Sequence, residues 1–473
     1  MKRFTPPPLL GLALALLPVA LTAADTTMVP GPNLSGGRMS HSALVTPQGK
    51  VVLLGGHGPG FASLATADSW QAGAEAWTAS SMQSPHDAPA FARLADGTYF
   101  IAGGSSSLGI PAYDTIETFD PTTGNFYTGG KTLVRFRAAS GSAQLAGGKV
   151  LLAGAWWVHN DAHTVGELHD PATGVSVATG PLSLARSGAV VLPKADGDAV
   201  VVGGISPTGS ALKATPELYS VANNTFSKLG DELWSDDPGW NLGPSFSSVV
   251  AVEDLRLADG HRFLLPMTRP VEGKSEQGYV LFDSRSGAFT RLVTTPPLPD
   301  SQAESFLYNP MIDRANGVAY VFSYLPGFTP TRALIRTINL TTGATAALPG
   351  TIEFPADYEI SGASLSLLPD GRILVAGGAT PGNGNFGARA NTFLITPGTP
   401  VTPGPTVTLD TYAGVTVAGN VGTSYLVEFA TALAPEVWLP LSSVTLTNTV
   451  QLVIDPSPLS GQAKRFYRAK LAN

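Results

Sequence analysis

The stretch "LWSDDPGWN" sets Trp234, Asp236, Asp237, Trp240 and Asn241 close together. Flat aromatic faces beside carboxylates and amides suit a sugar ring. The ring's C–H patches meet the aromatic face, and its hydroxyls meet the polar groups. "FPADYE" offers a similar set in Phe354, Asp357, Tyr358 and Glu359, and "PDSQAES" adds Asp300 and Glu304. In "AWWVHNDAHT", Trp156 and Trp157 form a candidate stacking platform with His159, Asp161 and His163 as polar partners. Carboxylates converging from several such stretches could bind a sugar or calcium, or act as an acid–base pair. Taken singly, each is more often a solvated loop charge, and the tryptophan stretch reads equally well as a packed loop. His159, Asp161 and His163 lack the helical spacing of a metal-binding set. Calcium is therefore the one ion these stretches suggest, and no other cofactor is expected. Arg38, Arg135, Arg137 and Arg186 could bind an acidic ligand such as a uronate or sialate, or form ion pairs between neighbouring structural units.

Positioning such residues falls to a repeated phrase. "LPDGRILVAGG" ends at Gly378, "TPQGKVVLLGG" at Gly56, "LADGTYFIAGG" at Gly104, "LAGGKVLLAGA" at Ala155 and "KADGDAVVVGG" at Gly204. Each reads as a polar turn, an alternating apolar strand and a close-packed terminus. Steps of about fifty residues match a four-stranded propeller blade. A second phrase follows each first one: "TFDPTTGNF", "LHDPATGVS", "LYSVANNTF" and "LFDSRSGAF". Here aspartate bonds forward, proline presets φ, and glycine takes positive φ. An aromatic residue often opens the next strand. By the second phrase, two further copies without diglycines lie at "HRFLLPM" and "GVAYVFSY". Seven copies result, although six or eight stay compatible with the degenerate pair. The glycines are expected to let backbone approach backbone where inner strands crowd together.

The diglycines, the Asp-Pro-x-Thr-Gly turns and the aromatic after them resemble the kelch repeat over roughly residues 28 to 397. The resemblance implies an all-β fold: a seven-bladed kelch β-propeller over 25–398, with residues near Met28 completing the last blade. A Pro/Thr/Gly linker (399–406) and a small C-terminal β-sandwich (407–473) follow. The phrases "YLVEFATAL" and "RFYRA" resemble a C-terminal module of secreted proteins of Verrucomicrobia and related bacteria, which implies secretion or surface display. Lys464, Arg465, Arg468 and Lys470 in that module read as a solvated strand face. In a propeller of this kind the short a–b and c–d turns share one face. The long b–c and d–a loops, which carry the residues named above, share the other, and binding residues are expected there.

Composition bounds the rest. Hydrophobic residues make up 43% and charged residues 13% of the 473, which describes a globular chain rather than a disordered one. Lys2, Arg3, the apolar run Leu9 to Leu21 and the small residues Ala23 and Ala24 read as a signal peptide over 1–24, cleaved near Ala23 or Ala24. The run is short for a membrane anchor. There is no cysteine, so disulfides, lipidation on cysteine and thiolate chemistry are excluded. A net charge of −7 without a basic cluster makes nucleic acid an unsuitable partner. Catalytic templates are missing: there is no Gly-x-Ser-x-Gly, His-Glu-x-x-His, phosphate loop or dinucleotide fingerprint. The kelch class includes copper radical oxidases, whose cysteine–tyrosine cofactor cannot form here, and sialic-acid mutarotases, which need only placed acid and base groups. The expected function is that of a secreted, monomeric, non-catalytic module binding a carbohydrate or another surface polymer. A carbohydrate-active epimerase or lyase and a protein-binding scaffold are the alternatives.

Overall fold

The computed structural model describes residues 24–105, 113–128, 130–155, 163–206, 215–242, 250–271, 274–295, 309–325, 330–382, 387–399, 412–432, 437–458 and 465–472. The chain divides into two compact units, Met1–Val401 and Thr402–Asn473. Both are all-β, and the helical pieces among the described residues are short 3₁₀ turns. No helix among those residues is long and apolar enough to cross a membrane.

In the first unit the described strands form seven antiparallel sheets, six of four strands and one of five. Their first strands are Ser42–Val45, Ala90–Arg93, Gly141–Gln144, Val190–Pro193, Asn241–Leu242, Met311–Asp313 and Ser364–Leu367. The seventh sheet takes its outer strand from the other end of the chain. Thr27–Pro30 pairs with Thr392–Thr396, with Met28 opposite Ile395. This is the strand the sequence led us to expect near Met28.

The turn phrases build as their chemistry requires. In the turn at Asp120 the carboxylate accepts the Thr122 N–H at 2.8 Å, and the Gly124 N–H returns to the Asp120 carbonyl at 2.8 Å with Gly124 at φ +77°. The same arrangement recurs at Asp170, Asp283 and Asn339. The aromatic after the turn packs directly across the hairpin. Phe126 faces Phe119, Phe226 faces Tyr219 and Phe289 faces Phe282, with ring centroids 4.8 to 4.9 Å apart. Such pairs add about 0.5–1.5 kcal/mol each beyond the area they bury.

The diglycines close the second strand of a sheet, not the innermost one, and what crowds them is the chain running into the next sheet. The second residue of the pair donates its N–H to that chain: Gly56 to the His86 carbonyl, Gly104 to Arg137, Gly204 to Leu242, and Gly378 to Arg38. Ala155 fills the same role toward Arg186. A Cβ on Gly203 would lie 1.5 Å from the Leu242 oxygen, so no larger residue fits there. Sheets five and six have no diglycine, and their hairpins run on: Arg262–Val271 with Lys274–Asp283, and Val318–Leu325 with Arg332–Asn339.

The first strands of the second, third and fourth sheets pack side by side, as do those of the sixth, seventh and first, and the 3₁₀ turn Val252–Leu255 packs against those of the second, third, fourth and sixth sheets. In the second unit, Tyr412–Ala418 pairs with Val450–Pro458, and Ser424–Ala430 lies between Leu439–Thr445 and Phe466–Leu471. Val417, Val427, Val444, Leu446 and Val453 form its core. Past Thr399, the linker lies outside the described residues.

Candidate functional site

The long-loop residues that are described serve packing more than recognition. Trp156, Trp157, His159, Asp161, Asp300 and Glu304 lie outside the described residues. His163 gives its backbone carbonyl to the Arg186 N–H. Asp237 is held by Arg269 and Arg291 and accepts the Trp240 indole N–H at 3.3 Å. Those two guanidinium groups stack on Trp240 and Trp234 respectively. Trp240 is 0% exposed, so its ring cannot receive a sugar. Asp236, 82% exposed, stands 4.0 Å from Arg291. Asp357 pairs with Arg389, while Phe354 and Tyr358 are buried. The Tyr358 hydroxyl donates to the Gly377 carbonyl at 2.8 Å, and burial pushes its pKa up.

Three of the four arginines named for an acidic ligand are structural. Arg38 donates to the Gly55 carbonyl and pairs with Asp68; Arg137 does the same with Gly154 and Glu167, and Arg186 with Gly203 and Glu217. In the second sheet His86 reaches the Gly103 carbonyl and Glu117. Each ties the incoming chain to the second and third strands of its own sheet, so these are not ion pairs between neighbouring sheets. Arg135 gives its backbone N–H to Glu167. The acid stands 30 or 31 residues after its basic partner every time, a spacing legible in the sequence but unused above.

The open site lies at the other end of the first strands, among the short turns. A cavity of about 750 Å³ is bounded by the turns at Leu94–Gly97, Leu145–Gly148, Pro193–Ala195 and Leu257–His261, with Arg93, Glu253, Arg256, Arg285 and Arg314 on its walls. A second recess of about 530 Å³, lined by Thr46, Lys50, Tyr99 and Thr122, shares Arg93 and Gly97 with it. Across the Val252–Leu255 turn, Phe91, Val191, Val252, Leu255 and Leu265 line an apolar void of about 90 Å³.

The first strand of each sheet is an edge strand and leaves backbone N–H groups unpaired along it. The Glu253 carboxylate meets two of them, accepting from Arg93 and Gln144 at 3.2 Å each, and so anchors the 3₁₀ turn to two sheets. Burial nevertheless raises its pKa to about 7. Asp254, with its side chain 31% exposed, faces Arg93 at 3.8 Å. Desolvation raises its pKa to about 6 against the opposing pull of Arg93 and Arg314. Arg314 donates to the Asp254 and Arg256 carbonyls at 2.6 and 2.9 Å. The Arg256 guanidinium lies 4.8 Å from the Phe263 ring centroid. Concave shape, mixed polar and apolar walls and perturbed carboxylates meet here as they do in ligand sites. Local sequence carried no sign of it, because Glu253 and Asp254 sit in "AVEDLRLADG", which reads as an ordinary turn.

No family model matches the chain, and no curated protein matches it. Solved structures do. One, described as a novel fungal alcohol oxidase with catalytic diversity among the AA5 family, in complex with copper, aligns at a TM-score of 0.57 and 14% identity. The alignment covers 94% of this chain and 92% of that one. At that identity the likeness concerns the fold alone. The chain has no cysteine, and no three His, Asp or Glu side chains among the described residues are placed to hold an ion. The same observation gives the calcium expectation no site among those residues.

Proposed function

We propose that the first unit is a closed seven-bladed kelch propeller, secreted after signal-peptide removal and acting as a monomer. In this reading it binds a carbohydrate or another surface polymer without transforming it. Closure is supported by the recurring diglycine bond: the contact joining Gly56 to His86 also joins Gly378, in the seventh sheet, to Arg38 at the start of the first. The ligand is placed in the turn-side cleft and not on the long-loop face. The observation that carries this is the cavity of about 750 Å³, with open polar side chains on its walls, set against Asp237, Trp240 and Asp357, which are already engaged among the described loop residues.

Calorimetric titration of the full chain with soluble polysaccharides tests the reading. Binding that leaves the polymer unchanged, weakens in Arg93→Met and persists in Trp234→Ala supports it. Loss in Trp234→Ala with Arg93→Met unaffected would return the site to the long loops. An acid–base enzyme is the second reading, favoured by the raised pKa values of Glu253 and Asp254. Product formation abolished in Asp254→Asn would establish it.

A further inference from the structure

We infer that the turn-side cleft takes an anionic polymer, one whose sugars carry a carboxylate or sulfate, held by Arg93, Arg256 and Arg314. The inference rests on the binding reading above and names its ligand class. The three guanidinium groups come from separate pieces of chain: the end of the second sheet's first strand, the residue after the 3₁₀ turn, and the first turn of the sixth sheet. One carboxylate, Asp254, opposes Arg93 and Arg314. Glu253 spends both oxygens on backbone N–H groups. Two of the remaining charged groups around the cavity are already matched, Lys194 with Asp196 and His261 with Asp259 and Asp283. Arg285, on the rim, is exposed and makes no side-chain ion pair among the described residues.

Arg93 decides the assignment. Its side chain is 42% exposed, it lines both recesses, and its one ion pair among the described residues, at 3.8 Å, is too long for a hydrogen bond. A guanidinium carries five donors in a planar fork that matches an oxyanion two bonds at a time. The donors of Arg93 are therefore unspent and face an open cavity, in a chain whose net charge is −7. A structural arginine in this protein looks different, being buried against a carboxylate and a carbonyl. Two adjoining recesses sharing one arginine suit an extended chain with repeated charges better than a single small anion.

The test is calorimetric titration of the full chain with polygalacturonate, dextran sulfate and unmodified dextran, at low and high salt. Polygalacturonate or dextran sulfate should bind at least ten-fold more tightly than dextran and weaken as salt rises. Which of the two binds identifies the oxyanion. Arg93→Met and Arg256→Met should each lower the affinity about ten-fold with the melting temperature unchanged. Arg291→Met, on the long-loop side, should leave binding as it was. Equal binding of dextran and the charged polymers, with Arg93→Met weakening all of them alike, overturns the anionic class and leaves the polymer-binding reading standing. No binding to any of the three overturns both.

Discussion

Two sets of arginines in this molecule share a residue type and little else. Arg38, Arg137 and Arg186 are at most 1% exposed, and each has a carboxylate and a glycine carbonyl of its own. Arg93, Arg256 and Arg314 stand around a cavity, and Asp254 is set against the first and last of them. A buried charge is tolerated only where its partner is buried with it. The first set is consequently fixed as struts that hold each incoming chain to its sheet. The second set remains in contact with water and keeps hydrogen-bonding capacity for something else. What separates them is whether a carboxylate arrives from the third strand of the same sheet.

The comparison can be broken by substitution. The largest effect is expected for Arg186→Met, which strands the fully buried Glu217 carboxylate and should cost about 3–5 kcal/mol by chemical denaturation. Arg93→Met should change stability by no more than about 0.5 kcal/mol. Equal losses would mean that both sets are struts. Next comes Gly203→Ala, expected to cost about 3 kcal/mol because the new Cβ meets the Leu242 carbonyl at positive φ. Gly371→Ala has a similar φ and open space, so about 1 kcal/mol is expected, and the difference isolates the backbone contact between sheets. Asp237→Asn should lower the denaturation midpoint less than Gly203→Ala does, since that network is partly solvated.

The comparison is sharpened on the cleft side through pH. The folded protein holds a proton on Glu253 more tightly than the unfolded chain does, its pKa rising from 4.5 to about 7. Stability therefore falls as pH rises through that interval and levels off above it. Melting temperatures from pH 4 to 8 should show this slope in the native protein and a shallower one in Glu253→Gln. Identical slopes would mean that the carboxylate is not desolvated against the Arg93 and Gln144 N–H groups.

Much of the scaffold was legible beforehand. The turns at Asp120 and Asp170 formed as their residues require, and the strand near Met28 found its partner at Ile395. The candidate site was mostly not legible. Trp240 and Tyr358, chosen for aromatic or polar faces, are buried, and Asp237 is spent on two arginines. Residue type says what a side chain can do, whereas burial decides whether it is free to do it.

The sequence by itself determined the repeat, its turns and the strand that joins the two ends of the first unit. Those features depend on backbone requirements met within a few residues: a forward-bonding aspartate, a positive φ, a glycine where a carbonyl comes close. Tertiary structure alone decided which charges are struts and which are open. The energy of a charge depends on how much water it loses and on what stands beside it. Around Glu253, both are set by turns from several sheets, brought together from positions as far apart as Arg93 and Arg314.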